Sequence, residues 1–147
     1  MSEPRRSVVT AFLEHDGRIL VLRRGRRVGT YQGRWAGVSG FLEPGNTPEH
    51  QARVEIQEET GLTDEDIHLI AAGAPLMVDD TATGRRWLVY PFRFAVLHPE
   101  RIRLDWEHEE MRWIAPSELE HLETVPRLAE AWEHVALSHR HGAGEEA

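Results

Sequence analysis

Three features of this 147-residue sequence predict an α/β fold: an Asp-Gly hairpin near the start, a capped helix in the middle, and later β-rich runs that give way to a helical pattern. In "SVVTAFLEHDGRILVLRR", Asp-Gly divides two runs of apolar residues, a strong short-range hairpin signal, so residues 7 to 23 are expected to be two antiparallel strands. The glycine- and arginine-rich "RRGRRVGTYQGRW" has no periodicity and reads as a loop, followed by a short apolar run, "WAGVSGFL", that fits a strand. "NTPEHQARVEIQEETGL" offers Thr47 as N-cap, Pro48 at the first helical position, Glu49 in the first turn and Gly61 as the stop. Beyond it, "DIHLIAAGAPLMVDD" and "RRWLVYPFRFAVL" read as strands either side of the turn "TATG", with "MRWIA" as a short final strand. "PSELEHL" and "VPRLAEAWEHVALSHR" begin at or beside proline and read as helices, the second with Leu128, Ala131, Trp132 and Val135 at helical spacing. One domain is expected over 1–140, with a disordered tail over 141–147.

Composition removes several classes of function. The 25 acidic residues outnumber the 17 basic ones for a formal charge of -8, which argues against duplex nucleic acid held on a basic surface. The absence of cysteine excludes disulfides, a thiolate zinc site and a cysteine nucleophile. No apolar run reaches the length of a membrane span and charge interrupts the first twenty or so residues, so a cytoplasmic protein without a membrane partner is expected. The histidines form no H-E-x-x-H pair, and "HRH" at 139–141 falls near the C-terminus, where incidental metal affinity is the simpler reading. Every basic side chain other than histidine is arginine. Genomic base composition explains that economically, although the guanidinium fork also suits phosphate.

The stretch "VEIQEETGL" carries the chemical signal. On a helix Glu55, Glu58 and Glu59 share one face, and no lysine or arginine stands at i±4 to neutralise them. The Glu55–Glu59 repulsion and the negative end of the helix dipole together cost roughly 1–2 kcal/mol. A hard divalent cation, Mg²⁺ or Mn²⁺, would remove that cost and commonly bridges to phosphates. A solvated acidic face tolerates it equally well, and spacing alone does not separate the two.

Taken whole, "GFLEPGNTPEHQARVEIQEETGL", residues 40–62, resembles the signature of the Nudix hydrolases: G, five residues, E, seven residues, R-E-U-x-E-E-x-G-U, with U bulky and aliphatic. Gly40, Glu55, Ile56, Glu58, Glu59, Gly61 and Leu62 match it. Asn46 stands where the signature has glutamate, and Val54 where it has arginine. Losing both members of such an ion pair leaves no unpaired buried charge, so an ordered site is compatible with the change. The resemblance implies an α/β/α sandwich with a mixed sheet, and a Mg²⁺- or Mn²⁺-dependent pyrophosphohydrolase acting on a nucleoside diphosphate linked to another moiety. The two departures motivate an alternative, a catalytically impaired module that senses nucleotides or binds proteins.

By the same resemblance Glu58 and Glu59 are metal ligands, Glu55 binds metal or orients water, and the Ser39 carbonyl completes the metal shell. A downstream acid is expected from "DWEHEEMRW", Glu107 first because it lies six residues before Trp113, and Glu110 second; an exposed acidic loop is the plain alternative. For phosphate the arginines before the box are candidates, Arg23, Arg27 and Arg34 foremost among a group that includes Arg24 and Arg26. Trp35, Tyr31 and Trp87 are candidates for stacking on a base, against the commoner role of such aromatics in a core. Homodimers occur among members of the family, and "WLVYPFRFAV" has the composition of an edge able to support one.

Overall fold

The computed structural model describes the backbone of residues 6–144 and the side chains of residues 6–136. Strands β1 (Arg6–His15) and β2 (Arg18–Arg24) form the expected hairpin. Asp16 and Gly17 both take positive φ, at 53° and 78°, the backbone of a two-residue turn whose twist matches the strands on either side. The short strands β3 (Trp35–Ala36) and β4 (Val38–Phe41) divide the apolar run that follows. They part at Gly37, where a Cβ would lie 2.9 Å from the carbonyl oxygen of Ala11. Helix α1 (Pro48–Thr60) begins as the sequence predicts: the Thr47 hydroxyl accepts the His50 N–H at 3.2 Å, and Gly61 closes the helix with φ 79°.

After a 3-10 turn at Asp64–Asp66 come β5 (Ile67–Ala72), β6 (Leu76–Asp80) and β7 (Arg85–Val96). β1 and β7 run parallel in register, Arg6 opposite Trp87 and Glu14 opposite Ala95, while the other strand pairs are antiparallel, so the sheet is mixed. β7 has β1 on one side and β5 and β6 on the other. It is therefore no free edge for a second copy. Pro91 is tolerated inside it because its carbonyl faces the break between β5 and β6, where it accepts the Gly73 N–H at 3.0 Å; in a strand the missing N–H of Pro91 faces that same side. β8 (His108–Ile114) starts earlier than the run "MRWIA" suggested and places Glu109 and Glu110 on a strand. The first of the two late helices is a 3-10 turn at Pro116–His121, and the second is α2 (Leu128–Gly144). α2 continues through 141–144, and the rest of the expected tail lies outside the described residues, as do the side chains of His139 and His141.

Alternation along the strands builds one core on each face of the sheet. Val9, Ala11 and Leu13 of β1, with Leu20 and Leu22 of β2, pack under Ala52 and Ile56 of α1. Phe12, Ile19 and Val21 point the other way and meet Leu128, Ala131 and Val135 of α2. Trp132 closes on Phe12 edge-on, with ring centroids 5.3 Å apart. The result is an α/β/α sandwich. Among the described residues no helix is long and apolar enough to cross a membrane.

Candidate active site

Glu59 is the centre of the arrangement and is almost wholly buried, at 2% exposure. Ile56, one turn earlier, locks α1 into the sheet, a burial that stabilises by about 1.5–3 kcal/mol and fixes where the next turn points. Glu59 Oε1 accepts the Ser39 backbone N–H at 3.4 Å from β4 and lies 3.7 Å from His108 Nε2. No donor among the described residues satisfies Oε2. Burial, then the neighbouring Glu55 carboxyl and the charges of Glu107 and Asp105, push the Glu59 carboxyl well above its ordinary range. Glu55 is raised too, chiefly by burial with Glu58 and Glu107 adding to it, while hydrogen bonds with Glu59 and Gln51 oppose the shift. Gly40 makes room for this group, since a Cβ there would fall inside the Glu55 carboxyl.

The sheet brings the other members in. β4 lies against β1 with Ser39 opposite Thr10, and β8 lies against β2, which carries the turn before β8 to the same place. In that turn the Asp105 carboxylate holds His108 Nδ1 at 3.0 Å, and the Glu107 carbonyl accepts the Gly25 N–H at 2.9 Å. Arg24 is the nearby cation. Burial lowers its pKa while Glu107 and Glu59 raise it, and its guanidinium donates to the Thr30 carbonyl at 2.8 Å, tying down the loop after β2.

Next to these groups is a cavity of about 610 Å³, within the size range of small-molecule sites, whose lining includes Glu55 and Glu107 while Glu59 lies behind it. Ser39, Glu55, Glu58, Glu107 and Arg27 line it, so half of the expected site residues are in one place. Tyr31, Phe41, Trp87 and Trp106 supply aromatic walls. The Tyr31 hydroxyl donates to Asp80 and accepts from Trp87 Nε1 at 3.3 Å, which fixes two of those walls.

Other candidates lie elsewhere. Arg23 pairs with Glu109 at 3.6 Å and Glu110 at 3.4 Å, and Glu110 is engaged there and with Arg112 at 3.7 Å, away from the cavity lining. Arg34 donates to the Thr124 carbonyl at 3.2 Å. Trp35 is a core residue with Arg112 stacked over its ring at 4.7 Å. Alternation separates Arg23 from Arg24: the first is in step with Ile19 and Val21 on the α2 face, the second with Leu20 and Leu22 on the α1 face, where Glu59 stands. Sequence reasoning passed over Asp105, His108, Phe41 and Trp106. No local pattern marks them, because they reach the site through strand pairing.

The donor set is suited to a hard divalent cation. Clustered carboxylates, one of them buried with an oxygen that no donor among the described residues satisfies, are the kind of oxygen ligands that a divalent cation satisfies. Asp105, Glu107 and His108 also present ligand atoms within 4.8 Å of one another.

Fold and site together define the class, an α/β/α sandwich with a carboxylate cluster beside a cavity. The family follows from comparison: the model described as NUDIX domain matches residues 3–135, and the chain belongs to this family. The nucleoside triphosphatase NudI of Escherichia coli is 27% identical over 125 residues, which cover 80% of this chain and 86% of the relative. A NUDIX hydrolase from Nitrosomonas europaea superposes with a TM-score of 0.71 at 22% identity, covering 89% of this chain and 88% of that one. A bifunctional NMN adenylyltransferase/ADP ribose pyrophosphatase from Francisella tularensis, solved with AMP and a Mn ion, superposes at 0.74 with 20% identity, over 89% of this chain and 41% of that one. At these identities the solved structures speak to the fold.

Proposed function

We propose that the chain is a Mg²⁺- or Mn²⁺-dependent pyrophosphohydrolase that cleaves a small nucleoside diphosphate derivative at the phosphoanhydride. The observation that carries this reading is Glu59: a nearly inaccessible carboxylate with one oxygen that no donor among the described residues satisfies, next to Glu55 and Glu107, which line a cavity with aromatic walls. Glu59, Glu55, Glu58 and Glu107 would hold the ion, with the Ser39 carbonyl beside them. When bound, such an ion neutralises the diphosphate oxygens and makes water easier to deprotonate. Glu55 is the group to hold and orient that water, because Gln51 fixes its carboxylate while one side faces the cavity. Arg27, which lines the cavity, would meet outer phosphate oxygens, and the faces of Tyr31, Phe41, Trp87 and Trp106 suit a base. The names of relatives, a nucleoside triphosphatase, an Ap4A hydrolase and an ADP ribose pyrophosphatase, set the range of substrates worth testing.

The test is a screen of nucleoside triphosphates, ADP-ribose, dinucleoside polyphosphates and nucleotide sugars with Mg²⁺ or Mn²⁺. Turnover of at least one is expected, and Glu59→Gln should lower kcat by about 100-fold or more. Binding without turnover, at the level of the Glu59→Gln variant for every compound, would falsify the reading and leave the sensing module in its place.

A further inference from the structure

Gln51 is an uncharged polar side chain at 1% exposure, in the turn of α1 just before Glu55 and on the same stripe as Glu55 and Glu59. Its amide is saturated in a defined sense. The Glu43 backbone N–H can only donate, so the Gln51 atom 3.1 Å from it is the oxygen. That oxygen also accepts from the Asn46 side-chain amide at 2.8 Å. The opposite end, the NH₂ group, therefore faces Glu55 and donates to Oε2 at 3.0 Å. A single side chain thus joins the loop 43–46, the first half of α1 and a carboxylate of the site.

Position 46 is where the box departs from its signature, and Val54, the other departure, carries no hydrogen-bonding group. Arg53 does not substitute, for it pairs with Glu49 at 3.0 Å and Asp64 at 3.2 Å on another side of the helix. The hydrogen bonds that tie the loop to the helix in this chain pass through Gln51. Asn46 matches Gln51 in a way glutamate would not, since a carboxylate there would turn an acceptor toward an acceptor.

We infer that Gln51 is a positioning residue of this active site: clamped by Glu43 and Asn46, it holds the Glu55 carboxylate in the orientation that receives the divalent ion. The inference rests on the metal reading proposed above. Partners of this kind behind metal ligands typically contribute about 10- to 100-fold in affinity.

The test uses the full chain without substrate, titrated with Mn²⁺ and followed by water-proton relaxation, in wild type, Gln51→Leu, Glu55→Gln and the double variant, with melting curves for each. Gln51→Leu is expected to weaken Mn²⁺ binding about 10- to 100-fold and to have no further effect once Glu55 is Gln, because its action runs through that carboxylate. Unchanged affinity in Gln51→Leu, or losses that multiply in the double variant, overturn the proposal by reducing Gln51 to a packing residue. Should Gln51→Leu fail to fold, Asn46→Ala releases the loop end of the clamp alone. A smaller weakening that also vanishes in the Glu55→Gln background supports the proposal, and unchanged affinity overturns it. A wild-type chain that binds no Mn²⁺ overturns the metal reading and this inference with it, whereas the other negative results strike only the inference.

Discussion

Gly40 and Glu55 occupy one space, and that fact gives the first glycine of the box a physical meaning. No positive φ is required at Gly40; what matters is the missing Cβ, because the Glu55 carboxyl fills its place. The obstructing group is the end of a flexible side chain, so Gly40→Ala should fold with little change in melting temperature while pushing Glu55 aside. Misplacing a reacting group by about 1 Å can cost about 100-fold, so a kcat loss of that order with near-normal stability is expected from steady-state kinetics and a melting curve. Normal kcat would mean that the carboxylate has room elsewhere. At this scale the sequence was legible where a signature position named a residue and silent where contact across the chain gave it a task. The glutamates could be named from their spacing, but nothing local marks Gln51, whose task comes from the loop that folds back on it.

Among the elements, α1 was the most legible because its caps are local. Thr47, Pro48 and Gly61 act on backbone groups within a turn of themselves, and the structure shows each in that place. The junction that follows depends on distant partners. Asp66 ends the 3-10 turn, takes the Thr63 N–H at 2.9 Å, and is met by His98 at 2.9 Å and Arg101 at 2.7 Å from the segment after β7. The Thr63 N–H, helped by His98 and Arg101, holds its carboxyl far below the ordinary aspartate range against the cost of burial. A depressed carboxyl adds stability above its unfolded value, near 3.8, and that stability is lost as pH falls through the folded value. Asp66→Asn should therefore lower the melting temperature at neutral pH, with the gap from wild type narrowing as pH falls below about 4. A gap independent of pH between 7 and 3 would show that shape, and not charge, ties this junction.

For the whole molecule the consequence of the site is a ligand-dependent stability. A chain that buries clustered carboxylates is stabilised by whatever binds them in the folded state alone, and Mn²⁺ at about 100 times its Kd adds about 2.7 kcal/mol. For a domain of this size that corresponds to a rise in melting temperature of roughly 5–10 °C. Glu59→Gln should abolish most of the shift, and an equal shift in both proteins would place the ion elsewhere. The two cores that carry the site come from strict alternation along β1 and β2, a period of two that the sequence displays openly. The parallel pairing of β1 with β7, by contrast, joins segments far apart in the chain and has no local mark.

The sequence by itself determined what acts over a turn or a strand pair: the hairpin at Asp16-Gly17, the capped helix, the stripe of glutamates and, through the box, the family. The tertiary structure alone decided that Glu107 lines the cavity while Glu110 is held by Arg23, that Arg24 and not Arg23 faces Glu59, and that Asn46 and Glu55 are joined through Gln51. The reason is reach. Backbone preference and periodicity are set by neighbours along the chain, whereas a buried carboxylate takes its properties from whichever strands and loops the sheet happens to bring beside it.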